Sequence, residues 1–322
     1  TRWLIATSGT TGSPKLVSHT FSSLTLTTKF NIEQGKNIIW GMLYDFSRFA
    51  GLQVLLQSLV SGSKLIAPNH EDSLINKINS FIQNKCTHLS ATPTLWRKIL
   101  MTPKSKEINL VHATLGGEIA DDRILSSINL QYPKARVVHI FASTEAGVAF
   151  SVSDKKSGFP KSYLKEPPQG IGIKIEKNKL FIRNEHVHKK YLGNDKVFGS
   201  KDGWIDTGDM VHITNDRIFF RGREDGIINV GGDKVYPEEI ENVLLNHPLV
   251  ASAKVYAKSN PITGSLVAAD VILVDNKTNS NEACKILREY SSKILERHKS
   301  LAMIKIVSSF DLNSSGKIAR DL

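Results

Sequence analysis

Cysteine is scarce in this 322-residue chain: Cys86 and Cys284 are far apart and lack metal-ligand spacing. That scarcity argues against a disulfide scaffold and makes a reducing cytoplasm the expected location. Long apolar runs are also missing. None approaches the roughly 20 residues that cross a bilayer, so a transmembrane segment is not expected. The longest candidate, Phe49 to Val60, is interrupted by Gln53, Gln57 and Ser58 and predicts a packed helix. No internal repeat or low-complexity tract is present. Charge leans basic, with 42 Lys and Arg against 31 Asp and Glu and a formal net charge of +11. The basic residues form nothing longer than pairs such as Lys155-Lys156 and Lys189-Lys190. A nucleic-acid binder wants a positive stripe, so nucleic acid is not an expected partner. Nucleotides, coenzyme A or an acidic carrier protein suit such a charge better. The first residue is Thr1, almost at the start of a strand-like run, which suggests a fragment or a processed product.

The first half alternates short apolar runs with helix-like stretches. Strands are expected at Trp3–Ala6, Ile38–Leu43, Lys64–Ala67, His88–Ala91, Val111–Leu115 and Val137–Phe141. Between them, Asp72–Asn84 carries Leu74, Ile75, Ile78, Phe81 and Ile82 on one helical face. Strands alternating with helices need crossover connections, so the fold class is α/β with a mainly parallel sheet and flanking helices. From about Gly170 the pattern changes to short alternating strands, including Val211–Ile213 and Ile218–Phe220 around the turn-forming Asn215-Asp216. After Arg223 it changes again. A helix is expected from Pro237, a residue suited to a first helical turn, to Leu245, then two strands, a helix near 282–297 and a last strand at Met303–Val307. The expected domains are 1–224, a large core with short β-segments, and 225–322, a small mobile α+β domain.

The sharpest motif is Thr7-Ser-Gly-Thr-Thr-Gly-Ser-Pro-Lys15, directly after a strand. Its glycines allow a tight turn, its hydroxyls and amides can wrap phosphate oxygens, and Lys15 adds positive charge. It is not a Walker loop: the spacing differs and Leu16 follows the lysine. Further along stand Phe141-Ala-Ser-Thr-Glu-Ala-Gly147, Asp202-Gly-Trp-Ile-Asp-Thr-Gly-Asp209, Gly222-Arg-Glu-Asp-Gly-Ile-Ile followed by Gly231-Gly232 and Pro237-Glu-Glu-Ile-Glu241, and Ser315-Gly-Lys-Ile318. With the glycine loop, and in this order, they resemble the adenylate-forming superfamily of acyl-CoA synthetases, nonribosomal-peptide adenylation domains and luciferases. The resemblance runs from residue 2 to the end of the chain.

The resemblance implies an acid–thiol ligase that uses ATP and Mg2+, with coenzyme A or phosphopantetheine as acceptor. Thr7, Ser8, Gly9, Thr10, Thr11, Gly12 and Lys15 would hold the phosphates. Phe141 stands where the family usually has a tyrosine stacked on adenine, and a strand-end position would let its ring reach the crevice beyond the sheet. Thr144 and Glu145 offer a hydroxyl and a hard carboxylate oxygen, suited to magnesium. Asp209 matches the carboxylate that holds both ribose hydroxyls, and Arg223 matches a second ribose contact. Gly117 and Glu118, after Gly116, would lie beside adenine and the acyl pocket. Lys317 matches the mobile lysine that bridges substrate carboxylate and α-phosphate as charge develops. Asp225 matches the hinge about which the small domain rotates between half-reactions.

Two departures stand out: Ala142 replaces the usual glycine, and the N-terminal subdomain that family members carry ahead of the glycine loop is missing. The acid is open. Tyr44-Asp-Phe-Ser47 resembles the segment of amino-acid-activating members, which would give Asp45 and Phe46 a substrate role, with Asp45 pairing an α-ammonium. Arg48-Phe-Ala-Gly-Leu52 leans instead toward acyl- or aryl-CoA ligases, which bind no amine, and an aspartate here also suits a cap for the helix beginning near Phe49. A non-amino acid is the leading expectation, with an amino-acid-activating enzyme that loads a carrier protein as the alternative. A non-catalytic nucleotide-binding or interaction protein of the same fold is the rival from another class.

Overall fold

The computed structural model describes residues 1–7, 15–69, 71–168, 171–186, 191–192, 198–200, 202–261, 264–275, 278–313 and 316–318. Residues 1–207, 213–219 and 313–317 form one compact unit, and 208–212, 220–312 and 318–322 form a second. In chain order the first unit begins with β1 (Arg2–Ala6), β2 (Leu16–Thr20), the single turns α1 (Phe21–Leu24) and α2 (Ile32–Gly35), β3 (Ile39–Gly41), α3 (Phe49–Val60) and β4 (Lys64–Ile66). It continues with α4 (Leu74–Gln83), β5 (His88–Ala91), α5 (Pro93–Met101), β6 (His112–Gly116), α6 (Asp122–Gln131), β7 (Arg136–Ser143) and β8 (Gly147–Val152).

Six of these strands make one sheet in the order β4-β3-β5-β6-β7-β8. Its first five strands are parallel and β8 runs antiparallel to β7. The expected α/β organisation is therefore present. Side chains alternate across a strand, so Leu89 and Ala91 of β5, Ala113 and Leu115 of β6 and Val137 of β7 share a face. That face packs against Ile78 and Phe81 of α4, Trp96 and Ile99 of α5 and Ile124, Leu125 and Ile128 of α6. The helices start where side chains can cap them. Ser73, Thr92 and Asp121 each accept a backbone N–H three residues on, at Asn76, Leu95 and Ile124. Pro93 fills the first position of α5, where no N–H is needed.

Trp40, His88 and His112 come from the alternate positions of β3, β5 and β6. The two imidazoles stack at 5.4 Å and Trp40 lies 5.0 Å from His88. Burial holds both imidazoles well below their ordinary value of 6.5, at about 4, and for His112 the neighbouring His88 and Arg136 add to the effect. The unfolded chain therefore binds more protons than the folded one between about pH 6.5 and 4. This contribution to stability is fully present above pH 6.5 and is lost as pH falls toward 4. The urea midpoint should drop between pH 7 and pH 5, and the drop should shrink in a His88→Gln, His112→Gln double variant. A double variant with an undiminished pH dependence would show that other groups carry it.

The strand Leu16–Thr20 was not foreseen, because Ser18 and His19 break any apolar alternation, yet both are buried. It pairs antiparallel with β1, and its other edge takes the two-residue β12 (Tyr191–Leu192). The short strands between are β9 (Phe159–Pro160), β10 (Gly172–Glu176) and β11 (Lys179–Arg183), and after them come β13 (Trp204–Ile213) and β14 (Arg217–Arg223). They form a sheet in the order β10-β11-β13-β14-β9.

The second unit carries the hairpin β15 (Ile228–Val230) and β16 (Asp233–Val235), then α7 (Pro237–Leu245), β17 (Val250–Asn260), β18 (Gly264–Leu273), α8 (Ser280–Ser292) and β19 (Leu301–Ile306). The hairpin turns at Gly231 and Gly232, whose φ angles of +60° and +100° suit glycine. Strands β17 and β18 are antiparallel and β19 joins β18 in parallel. Ile240 and Leu244 of α7 and Leu287 of α8 pack on this sheet. Among the described residues no helix is long and apolar enough to cross a membrane.

Candidate active site

The glycine loop is closed at its base by its own ends. Thr7 N–H donates to the Lys15 carbonyl at 2.8 Å, and Lys15 N–H donates to Thr7 Oγ1 at 3.3 Å. Ser8, Gly9, Thr10, Thr11 and Gly12 lie outside the described residues. The Lys15 ammonium stands 5.1 Å from the centre of the Tyr191 ring, a cation–π distance.

Thr144 and Glu145 ride on the turn between β7 and β8, and side chains from distant segments hold that turn. Ala146 N–H donates to Ser143 Oγ at 2.9 Å, and Asn184 Nδ2 donates to the Ala146 carbonyl at 2.9 Å. His19 Nε2 lies 2.8 Å from the Thr144 carbonyl, which can only accept, so this nitrogen carries the proton. The Tyr191 hydroxyl donates to Glu145 Oε1 at 3.1 Å. Burial and then the Glu145 charge push the phenol well above its ordinary range, so it stays a donor. Gly147 closes the turn with φ +71°. Phe141 does not end its strand, as β7 runs on to Ser143 with a bulge between Phe141 and Ala142. Its ring stacks on Phe150 at 5.2 Å and 15°.

A second group forms where β5 and β6 end. Gly117 adopts φ +84°, and a Cβ there would meet Lys317 Cε at 3.0 Å and Thr92 Cγ2 at 3.8 Å. Thr92 Oγ1 caps α5 and donates to the Gly316 carbonyl at 2.7 Å. Lys317 is further held by its backbone: its N–H donates to Asn313 Oδ1 and its carbonyl accepts from Asn313 N–H. Glu118 Oε2 accepts from Thr94 N–H at 2.9 Å, which places a carboxylate on the first turn of α5. Tyr44, 8% exposed, also lies in this unit; burial raises its phenol, and a hydrogen bond to Ser90 opposes that.

Asp45 Oδ1 accepts from Ser47 N–H at 2.8 Å, and its carbonyl accepts from Arg48 N–H. This is an Asx turn leading into α3, whose N-cap position is Arg48. Phe46 is 66% exposed on that turn. In the second unit, Arg223 reaches two carboxylates, Asp209 Oδ1 at 3.8 Å and Asp225 Oδ1 at 3.2 Å. Gly208, at φ +72°, leaves room for that guanidinium, since a Cβ would come within 3.0 Å of it. Asp225 itself lies in the short turn Glu224–Gly226.

Sequence reasoning had not selected Thr92, His19, Asn184 or Tyr191. Their partners are 224, 125, 38 and 46 residues away, and no local pattern advertises such contacts. The Glu145 carboxylate is chemically suited to magnesium in this arrangement. Tyr191 takes one carboxylate oxygen, leaving Oε2 without a partner among the described residues. No cluster of three or more His, Cys, Asp or Glu that could hold a metal occurs among the described residues. A single carboxylate nonetheless suits an ion whose other ligands are phosphates and water.

Comparison with known proteins agrees with this fold. The profile of the AMP-binding enzyme family matches residues 2–197, and that of the AMP-binding enzyme C-terminal domain matches 239–317. Among curated relatives, 4-coumarate–CoA ligase 3 of Arabidopsis thaliana is 25% identical, over 97% of this chain and 61% of its own. The 2-succinylbenzoate–CoA ligase of Bacillus subtilis (strain 168) is 24% identical, over 100% and 68%. The chain thus spans about three fifths to two thirds of the length of these relatives. Among solved structures, the anthranilate CoA ligase AuaEII in complex with anthranoyl-AMP superposes with a TM-score of 0.82 at 17% identity, covering 98% of this chain and 65% of that one. The Bacillus subtilis O-succinylbenzoate CoA synthetase with ATP and magnesium gives 0.72 at 24%, covering 98% and 68%. With more than half of its residues matched by the family profile, in the same α/β fold, the chain belongs to the AMP-binding enzyme family.

Proposed function

We propose that this chain activates a carboxylic acid with ATP to an acyl-adenylate and then passes the acyl group to a pantetheine thiol. The observation that carries the reading is the placement of Lys317 against Gly117 at the end of β6, in the unit that also holds Glu145 and the paired Thr7 and Lys15. A substrate carboxylate and ATP repel one another, and an ammonium held between them counters the negative charge that builds up during attack. In the first step a carboxylate oxygen bonds to the α-phosphorus and the α–β anhydride bond breaks, releasing pyrophosphate. Thr7 and Lys15 anchor the loop that would hold the departing phosphates. Magnesium, when bound, would neutralise phosphate charge, and Glu145 with Thr144 would hold it. In the second step the thiol sulfur bonds to the acyl carbon, its proton goes to solvent and AMP departs. Asp209 and Arg223 are read as the ribose contacts, Phe141 as the adenine platform, and Asp225 as the hinge between the steps.

Coenzyme A is the favoured acceptor, since the curated relatives bear the names of CoA ligases. An acid without an α-ammonium is favoured too, because Asp45 already serves the Ser47 amide at the start of α3. The test is acid-dependent exchange of labelled pyrophosphate into ATP, screened over acyl, aryl and amino acids, each amino acid beside its des-amino analogue. Exchange with an aryl or acyl acid is expected. Preference for an amino form would overturn the substrate class. ATP binding with no exchange for any acid would favour a non-catalytic nucleotide binder.

A further inference from the structure

We propose that Tyr191 is a positioning residue that orients the magnesium-holding Glu145 relative to Lys15, an inference that rests on the reading of Glu145 as the metal carboxylate. Tyr191 lies in the two-residue strand β12, paired with Val17 on the edge of β2. From there its hydroxyl holds Glu145 Oε1 at 3.1 Å, while the face of its ring lies 5.1 Å from the Lys15 ammonium. One side chain thus touches the two groups that must face the same phosphates, one through a metal and one directly. A carboxylate hydrogen-bonded through one oxygen keeps its other oxygen in a fixed direction, as outer-shell partners do for metal ligands. The ring contact limits where a flexible four-carbon lysine can rest. The neighbouring bonds act in the same sense, since His19 and Asn184 fix the carbonyls of Thr144 and Ala146, on either side of Glu145. The turn's backbone is then held independently of the carboxylate, which leaves its orientation to Tyr191.

Tyr191→Phe removes the hydroxyl and keeps the ring, so it separates the two contacts. The half-saturating free Mg2+ in pyrophosphate exchange should rise roughly 10–100-fold, the usual loss when an outer-shell partner is removed. Mn2+–ATP binding, followed by electron paramagnetic resonance without acid, should weaken by a similar factor. ATP binding in EDTA should stay as in wild type, whereas Tyr191→Leu, which removes the ring as well, should weaken that too. In a Glu145→Gln background the effect of Tyr191→Phe on Mn2+–ATP binding should largely vanish. A purely structural role would lower Tm and leave the metal dependence unmoved; that result, or an undiminished effect in the Glu145→Gln background, overturns the proposal. If wild type exchanges pyrophosphate with no acid, the catalytic reading fails by itself, and the Mn2+–ATP titration still decides the role of Tyr191.

Discussion

Lys317→Ala is expected to reduce acid-dependent pyrophosphate exchange by at least roughly 10²–10³, the loss typical of removing one preorganised charge contact at a transition state. Transfer from a supplied acyl-adenylate to a thiol should survive, because the phosphate bond that the lysine is proposed to help make is already present. The geometry gives the reason for a large effect. Thr92 holds the Gly316 carbonyl, Asn313 brackets the Lys317 backbone on both sides, and Gly117 has no side chain to push the lysine away. The ammonium is therefore delivered by a held backbone. Asp225→Pro provides the opposite case. Proline fixes one backbone torsion, so if the turn at Glu224–Gly226 is the hinge, thioester formation should slow more than adenylation. Normal adenylation in Lys317→Ala would remove the lysine from the mechanism. Equal losses in both steps for a folded Asp225→Pro would remove the hinge.

Trp96→Ala should cost the first unit roughly 3–5 kcal/mol, the usual range for truncating a fully buried Trp or Phe. Trp96 is 0% exposed, packs edge-on against Tyr132 at 6.3 Å and donates its indole N–H to the Thr114 carbonyl at 2.8 Å. Truncation opens a cavity between α5 and β6 and leaves that carbonyl without its partner, which adds to the loss. The same helix begins at Thr92 and Pro93, so the damage should reach the Thr92–Gly316 bond and lower adenylation as well. Urea unfolding followed by circular dichroism, with exchange measured well below the midpoint, checks both effects. Trp96→Phe, which retains most of the volume but loses the indole N–H and part of the ring, should cost less. A loss below about 1 kcal/mol for Trp96→Ala would mean that the core closes over the gap.

Much of the fold could be read along the chain wherever one local rule was enough. Helices α3 and α7 and strand β5 lie where the apolar pattern and Pro237 put them. The strands flanking Asn215-Asp216 were recognised, though β13 begins earlier, at Trp204, within a stretch read only as a motif. Strands β2 and β12 were not read. Their sequences are mixed in polarity or only two residues long, and they are strands because β1 and β2 offer edges for pairing. The helix expected to extend to about residue 297 stops at Ser292, with a short turn at Arg297–Lys299 replacing its end.

By itself the sequence determined the α/β class and most of the element order, and it named the candidate chemistry-bearing residues. Periodicity and motif spacing are properties of neighbours along the chain, and they survive without a structure. Only the tertiary structure decided what those residues touch. Lys317 reaches Gly117 across 200 residues of sequence because β6 ends beside Thr92, whose hydroxyl donates to the Gly316 carbonyl. Tyr191 reaches Glu145 because β12 adds to the edge of β2. For Asp45 the sequence favoured a local role and left pairing with a substrate amine as the alternative, and the Ser47 amide at 2.8 Å shows a turn contact. Such pairings depend on sheet order and strand register, which are set by packing summed over the whole core rather than by any single segment.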